Sequence, residues 1–236
     1  MSSYPQRGMH GQTVNEIGRR ILAGDLGPGA VLAVDALEQE FAVSRTVIRE
    51  ALRVLAAKGL VDARPKRGTF VRPRDAWSLL DPDVLRWQLE QQRGTGFLDN
   101  LAEVRGIVEP AAARLAAQRR TDADLAELAD SLELSARAGA TAQEVVAADV
   151  RFHRALLFAT HNELLCQMEI VIETGLRTRD LLAHGQETWA DAEPAHRAVF
   201  NAVAAGDGDA AERAMRALLE QARRDVDALT DKGSQA

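Results

Sequence analysis

Cysteine is nearly absent: Cys166 is the single one in 236 residues. An internal disulfide is therefore excluded, and the scarcity fits a protein of the reducing cytoplasm. Aromatic residues make up only 4 % of the chain. Alanine, leucine and arginine take their place, a mix that favours helices over strands. No apolar run approaches the ~18–20 residues that a bilayer demands, so no membrane span is expected. The opening stretch "MSSYPQRGMHGQTVNEIG" has no hydrophobic signal core, and no export signal is expected from it. A phosphate-cradling loop, a nucleophile beside a base and a separate general base are all missing. What remains is an ordinary globular composition, 46 % apolar and 27 % charged, with ample length for one or two packed domains.

The net charge of −6 argues at first against nucleic acid, but its distribution argues for it. Residues 45–74 hold nine basic side chains against two acidic ones. That segment carries +7, so the rest of the chain carries −13. A basic block on an acidic body points to two functions in two domains.

The pattern along the chain divides accordingly. "QTVNEIGRRILAG" spaces Val14, Ile17, Ile21 and Leu22 as one helix face. "GDLGPGAVL" interrupts it, and Asp35 reads as the N-cap of a short helix through Leu37 and Phe41. Ser44 caps a longer helix, "RTVIREALRVLAAKG", which Gly59 ends. "LVDAR" and "GTFVRP", joined by "PKRG", read as a hairpin. From about Asp75 onward every segment reads as an amphipathic helix, with breaks at "RGTG", "AGAT", "HN" and "AGDGD". Pro110 should kink its helix or begin a new one. The tail "TDKGSQA" reads as disordered. The expected fold is mainly α: a winged helix-turn-helix over residues 1–74, then an all-helical antiparallel bundle over 75–236.

Arg45, Arg49 and Arg53 fall at i, i+4 and i+8, one cationic stripe on the second helix. Ile48, Ala51, Leu52 and Leu55 form the apolar stripe that packs inward. An arginine fork can donate two bonds to guanine O6 and N7, or clamp a phosphate. Residues near a recognition helix's N-terminus reach deepest into the major groove. Arg45 and Arg49 are therefore expected on bases, Ser44 and Thr46 on phosphates or bases, and Arg53 on phosphate. In the wing, Lys66 and Arg67 would follow the backbone or a minor groove, with Gly68 allowing the turn and close approach.

In the helical part, "ADVRFHRALLFATHN" places Asp149 and His153 one turn apart on a stripe with Val145, Val146, Leu156 and Leu157. His196 heads another stripe with Val199, Phe200 and Val203. Ionisable groups facing an apolar interior need partners. A divalent cation is one, and an aspartate with two histidines suits Zn²⁺, Ni²⁺ or Mn²⁺ in type. Direct contact of these residues with an effector is another. Arg105 and Arg177 also fall within the bundle helices; each reads as a clamp for a small carboxylate, a structural ion pair or a dimer contact. Arg151 and Arg179 lie beside the inward stripe and should face solvent. His161 reads as a cap or loop residue and His184 as part of a surface loop. A metalloenzyme with an accessory DNA-binding domain is the rival from another class.

The stretch "SRTVIREAL", followed by "KGL" and "RGTFV", resembles the DNA-binding domain of the GntR family of bacterial regulators, and the helical remainder is similar to the FCD effector domain found in part of that family. The resemblance covers nearly the whole chain. It implies a homodimer on palindromic operator DNA, most often a repressor. It also implies a metal held by an aspartate and histidines, with "DVRFH" and "AHRAVFNAV" matching Asp149, His153 and His196. Many members supply a further histidine where this chain has Leu218. Many also carry a DNA-contacting arginine at the place of Asp35, so that contact is expected to be lost and operator preference to differ. "RPRDAWSLLDPDVLRWQLE" resembles regulators of sugar-acid catabolism, which implies a sugar acid such as an aldonate as effector; another organic acid or an amino acid is the alternative. Coupling is expected through the linker at Arg72–Asp75.

Overall fold

Ser44 shows how local chemistry sets the first elements. Its backbone is extended and its hydroxyl accepts a bond from the Val47 amide at 3.4 Å, so helix α3, Arg45–Ala57, starts directly behind it. The computed structural model describes residues 8–91, 96–137, 141–183 and 189–233, with side chains outside 142, 177–192 and 225–236. Two compact units divide the chain, Met1–Gly94 and Thr95–Ala236.

In the first unit, α1 spans Met9–Ala23 and α2 Val34–Phe41, followed by α3. Strands β2, Val61–Arg64, and β3, Gly68–Val71, form the expected hairpin. A further strand, β1, Val31–Leu32, was not legible in its glycine- and proline-rich surroundings; it pairs antiparallel with β3 through Val31 and Phe70, giving the order β1-β3-β2. Asp35 is not the cap of α2: the N-cap is Ala33, without a side-chain bond, and Asp35 lies in the first turn, where an acid favours the helix dipole. Gly59 leaves α3 with φ +75°, and a Cβ there would meet the Ala76 carbonyl at 2.5 Å. Val14, Ile17, Ile21, Ile48, Leu55, Leu60 and Val71 form the core.

Helix α4, Pro82–Glu90, follows the wing and belongs to this unit. The expected division at residues 74 and 75 would detach it from α1, on which it packs. A Cβ at Gly18 of α1 would lie 2.5–2.7 Å from the Trp87 ring. Trp87 Nε1 and Arg86 Nη2 both donate to Asn15 Oδ1, at 3.0 and 2.7 Å. Lys58, counted above among the basic side chains, is buried here. It donates to Asp81 at 2.9 Å and pairs with Asp83 at 2.8 Å, so its charge ties the end of α3 to the start of α4.

The second unit is all helical: α5 Gly96–Arg119, α6 Asp122–Ser135, α7 Ala142–Phe158, α8 Glu163–Cys166, α9 Glu169–Ala183, α10 Trp189–Ala205 and α11 Gly208–Gly233. Capping boxes at Thr121 with Asp124 and at Thr141 with Glu144 set the starts of α6 and α7. α5 runs unbroken through Pro110 rather than beginning anew there. Between the breaks expected at "HN" and "AGDGD" there is a further turn, at Gln167–Met168, which separates α8 from α9 and which no glycine or proline announces in the sequence. His161 occupies the turn after α7 with φ +49°, and Asn162 caps α8. Leu128, Leu132, Phe152, Leu156, Val199, Val203, Met215 and Leu218 pack as the core. Arg179, His184, Trp189 and the tail from residue 230 lie outside the described side chains.

Candidate DNA-reading face and buried metal centre

The arginine stripe on α3 is a surface, as its spacing requires. Ser44, Arg45, Thr46, Arg49 and Arg53 are exposed, while Ile48, Ala51, Leu52 and Leu55 are buried beneath them. The stripe is not uniform. Arg53 Nη1 donates to Glu50 Oε1 at 2.6 Å. Arg45 donates through Nε to Glu38 Oε2 at 3.2 Å and through Nη2 to Asp35 Oδ1. Arg49 forms no ion pair among the described residues.

The wing repeats this economy. Lys66, Arg67 and Gly68 are exposed at the hairpin turn, with positive φ at Lys66 (+65°) and Gly68 (+80°). Arg67 and Arg64 lie over the Phe70 ring, at 4.4 and 5.2 Å from its centroid. Cation–π contact steadies two long cations on the hairpin. Arg64 is a basic wing residue that the sequence reading did not single out.

The second unit brings Asp149, His153 and His196 together from α7 and α10. All are buried, and one ligand atom of each lies within 4.8 Å of the others. His196 Nε2 stands 2.8 Å from Asp149 Oδ1. His153 Nε2 stands 3.5 Å from the same oxygen, too long for a good hydrogen bond, and has no hydrogen-bond partner. Phe152 packs edge-on against both imidazoles, with centroids 5.7 and 5.2 Å away. Leu218, at the place of the further histidine, is buried in the apolar core.

One residue of this centre escaped the sequence reading. Glu109 of α5 is buried and accepts from His153 Nδ1–H through Oε2 and from Arg105 Nε–H through Oε1. The signal was present: Arg105 and Glu109 are i, i+4, and a buried arginine requires a counter-charge. Arg105 is buried with Nη2 lacking a hydrogen-bond partner, and Gly175 of α9 clears its stem: a Cβ there would sit 3.1 Å from Arg105 Cδ. The Arg177 side chain lies outside the described residues. Arg151, expected toward solvent, is partly exposed and makes a fork on Glu127 at 2.6 and 2.7 Å.

The electrostatics follow from these contacts. Burial opposes ionisation of Glu109, but the charges of Arg105 and His153 outweigh it and hold the carboxyl at about 2. Burial likewise opposes charge on Asp149, yet the neighbouring imidazoles of His153 and His196 keep it well below the usual carboxylate range. For His153 burial opposes the proton, while Glu109 and Asp149 favour it and raise the imidazole to about 9. The donor set fits a divalent cation. It offers one carboxylate and two imidazole nitrogens, and His153 turns a nitrogen without a hydrogen-bond partner toward Asp149 because Glu109 occupies its other face.

A basic winged helix and a separate helical unit with a buried polar cluster are the parts of a transcriptional regulator. Residues 10–71 match bacterial regulatory proteins of the gntR family, and residues 100–221 match the FCD domain. The chain belongs to the GntR family, with an FCD second domain. It is 37 % identical over 222 residues to the galactonate operon transcriptional repressor of Escherichia coli (strain K12), covering 91 % of this chain and 95 % of that protein. It is 35 % identical over 203 residues to the HTH-type transcriptional regulator LutR of Bacillus subtilis (strain 168), covering 83 % and 91 %. A solved GntR structure from Streptococcus agalactiae superposes with a TM-score of 0.52 at 26 % identity, over 91 % of this chain and 99 % of that one. These families and relatives are regulators and not enzymes, which sets the metalloenzyme alternative aside. Among the described residues no helix is long and apolar enough to cross a membrane.

Proposed function

We propose that this protein is a cytoplasmic repressor that binds a palindromic operator as a homodimer and is released by a small carboxylate, a sugar acid of the aldonate kind. The observation that carries the reading is Arg105. Its guanidinium is buried, bound on one side by Glu109, and keeps a donor nitrogen unpartnered in the same cluster as Asp149, His153 and His196. A buried arginine donor beside a cation site suits a ligand with a carboxylate and neighbouring hydroxyls. The name of the galactonate repressor relative supports the same class.

Asp149, His153 and His196 would hold the cation, Zn²⁺, Ni²⁺ or Mn²⁺, and together with Arg105 and Arg177 would line the effector site. When bound, the cation supplies a Lewis-acidic anchor for carboxylate and hydroxyl oxygens. Arg105 fixes the carboxylate, Glu109 holds Arg105 and His153 in place, and Phe152 keeps the imidazoles dry. On DNA, Arg45 and Arg49 read bases, Ser44 and Thr46 contact phosphates or bases, and Arg53, Lys66, Arg67 and the Gly68 backbone follow the phosphates. The effector releases DNA only if it binds the non-operator arrangement more tightly.

Thermal-shift measurements with galactonate, gluconate and lactate, each with and without a chelator, test the reading, paired with a gel shift on DNA flanking the protein's own gene. The expected result is stabilisation by an aldonate, loss of that stabilisation with chelator, and release of DNA by the same acid. A lactate response in place of an aldonate response would keep the regulator and change its effector. No response to any acid or metal would overturn the sensor.

A further inference from the structure

Asp35 sets an acidic side chain beside a surface whose task is to meet phosphates. Its side chain is 76 % exposed, on α2, two residues before the buried Leu37. As an isolated charge it would repel DNA at every sequence. It is not isolated. Asp35 Oδ1 accepts from Arg45 Nη2, and Glu38 Oε2, one turn further along α2, accepts from Arg45 Nε at 3.2 Å.

The guanidinium makes this pairing informative. Its five N–H donors lie in a rigid plane. Nε–H and one proton of Nη2 form one edge; Nη1 and the second proton of Nη2 form the end. Asp35 and Glu38 divide the first edge between them. Nη1 has no acceptor among the described residues, and Nη2 carries a second proton besides the one it gives to Asp35. Two parallel donors at that spacing match the O6 and N7 acceptors of guanine in the major groove. Two carboxylates against one arginine leave a local excess of negative charge, which weakens general attraction to DNA. The same grip limits the rotamers of a long side chain, so less freedom is lost when it meets a base. The arrangement sacrifices affinity for all sequences and favours one.

We propose that Asp35, with Glu38, is a specificity-determining positioning residue that holds one edge of Arg45 so that the other reads a guanine in each half-site. This rests on the reading of Arg45 as a base-contacting residue given above.

The test uses the full-length protein and its Asp35→Ala, Arg45→Ala and doubly substituted variants. Binding-site selection from a randomised palindromic duplex pool would identify the guanine whose preference Arg45→Ala abolishes. Affinities would then be measured for duplexes with each base at that position and for a non-specific duplex. Asp35→Ala is expected to lower the preference for that guanine about tenfold, within the range such a bidentate contact supplies. Non-specific binding should stay equal or tighten, and the double variant should discriminate no worse than Arg45→Ala alone. If Asp35→Ala strengthens binding to all sequences alike and keeps the guanine preference, Asp35 is only a repelling charge and the proposal falls while the role of Arg45 stands. If Arg45→Ala itself leaves base preference unchanged, the reading of Arg45 falls and the proposal with it. Both substituted side chains are exposed, and unchanged melting temperatures would confirm that all variants fold.

Discussion

Arginine meets carboxylates in both units, with opposite surroundings. Arg45 is held by Asp35 and Glu38 at the surface, with side chains 54 %, 76 % and 26 % exposed. Arg105 is held by Glu109 in the interior, with side chains 9 % and 1 % exposed. The chemical groups are the same; the medium is not. An exposed pair of this kind contributes only about 0.2–1 kcal/mol and is screened by salt. It can be exchanged for a phosphate or a base without unfolding anything. Breaking a buried pair costs roughly 3–5 kcal/mol, because a charge is stranded where water cannot reach it. Arg105 is therefore committed to Glu109, with only its Nη2 unpartnered. The proposed DNA reader has the exchangeable kind of pair, the proposed sensor site the committed kind.

The largest expected effect comes from breaking the committed pair. Glu109→Ala should destabilise the protein by about 3–5 kcal/mol in urea unfolding, since it strands both Arg105 and the proton of His153. Glu109→Gln keeps the shape, so it separates folding from function. Its apparent Zn²⁺ affinity should fall roughly 10–100-fold, the usual effect of losing a partner that orients a ligating histidine. Unchanged Zn²⁺ affinity in a folded Glu109→Gln protein would show that the pair only fills space.

The next effect is one of pH. Burial opposes the His153 proton, but Glu109 and Asp149 raise the imidazole from 6.5 to about 9. A raised folded-state value means that the protonated form adds stability in full below pH 6.5, and that this is lost as pH rises through about 9. Melting temperatures of chelator-treated protein should therefore decline from pH 6.5 to 9. Zn²⁺ affinity should rise over the same interval, because the cation must displace that proton. Glu109→Gln should flatten both trends. A metal-free melting temperature that is flat across the interval would show that the buried cluster does not hold the proton, and the contrast with the exposed pairs would narrow.

The same contrast explains what the sequence revealed and what it hid. The recognition helix was legible because its determinants are local: a serine cap, an apolar stripe and an arginine stripe within thirteen residues. Asp149 and His153 were legible as a pair because one helical turn joins them. His196 comes from another helix, and only the cost of burying it suggested convergence. Glu109 was missed because i, i+4 Arg–Glu pairs are common on surfaces: Arg197 with Glu193 and Arg216 with Glu212 are exposed examples in this chain. Spacing does not report burial. Tertiary contact also decided β1, whose two residues become a strand only beside β3. Asp35 was read as a cap and a missing contact because its partner, Arg45, lies ten residues away across a turn.

The smallest expected effect tests whether all exposed pairs are alike. Arg53 is bound by Glu50 at 2.6 Å, with side chains 77 % and 49 % exposed. Neither carboxylate oxygen of Glu50 bonds Arg45, so this pair is a simple screen on Arg53, the arginine proposed to meet phosphate. Glu50→Gln should change stability by less than about 0.5 kcal/mol, as surface i, i+3 pairs do. It removes a negative charge from the DNA face and frees Arg53 to neutralise a phosphate. Binding should tighten a few-fold for every duplex alike, and the slope of log affinity against log salt should steepen by up to about one. Base preference should not move, which is the opposite of the result expected for Asp35→Ala. If Glu50→Gln alters the preferred guanine instead, the carboxylates along α2 and α3 act as one field on the stripe. Arg45 would then owe its selectivity to net charge rather than to the edge that Asp35 and Glu38 hold.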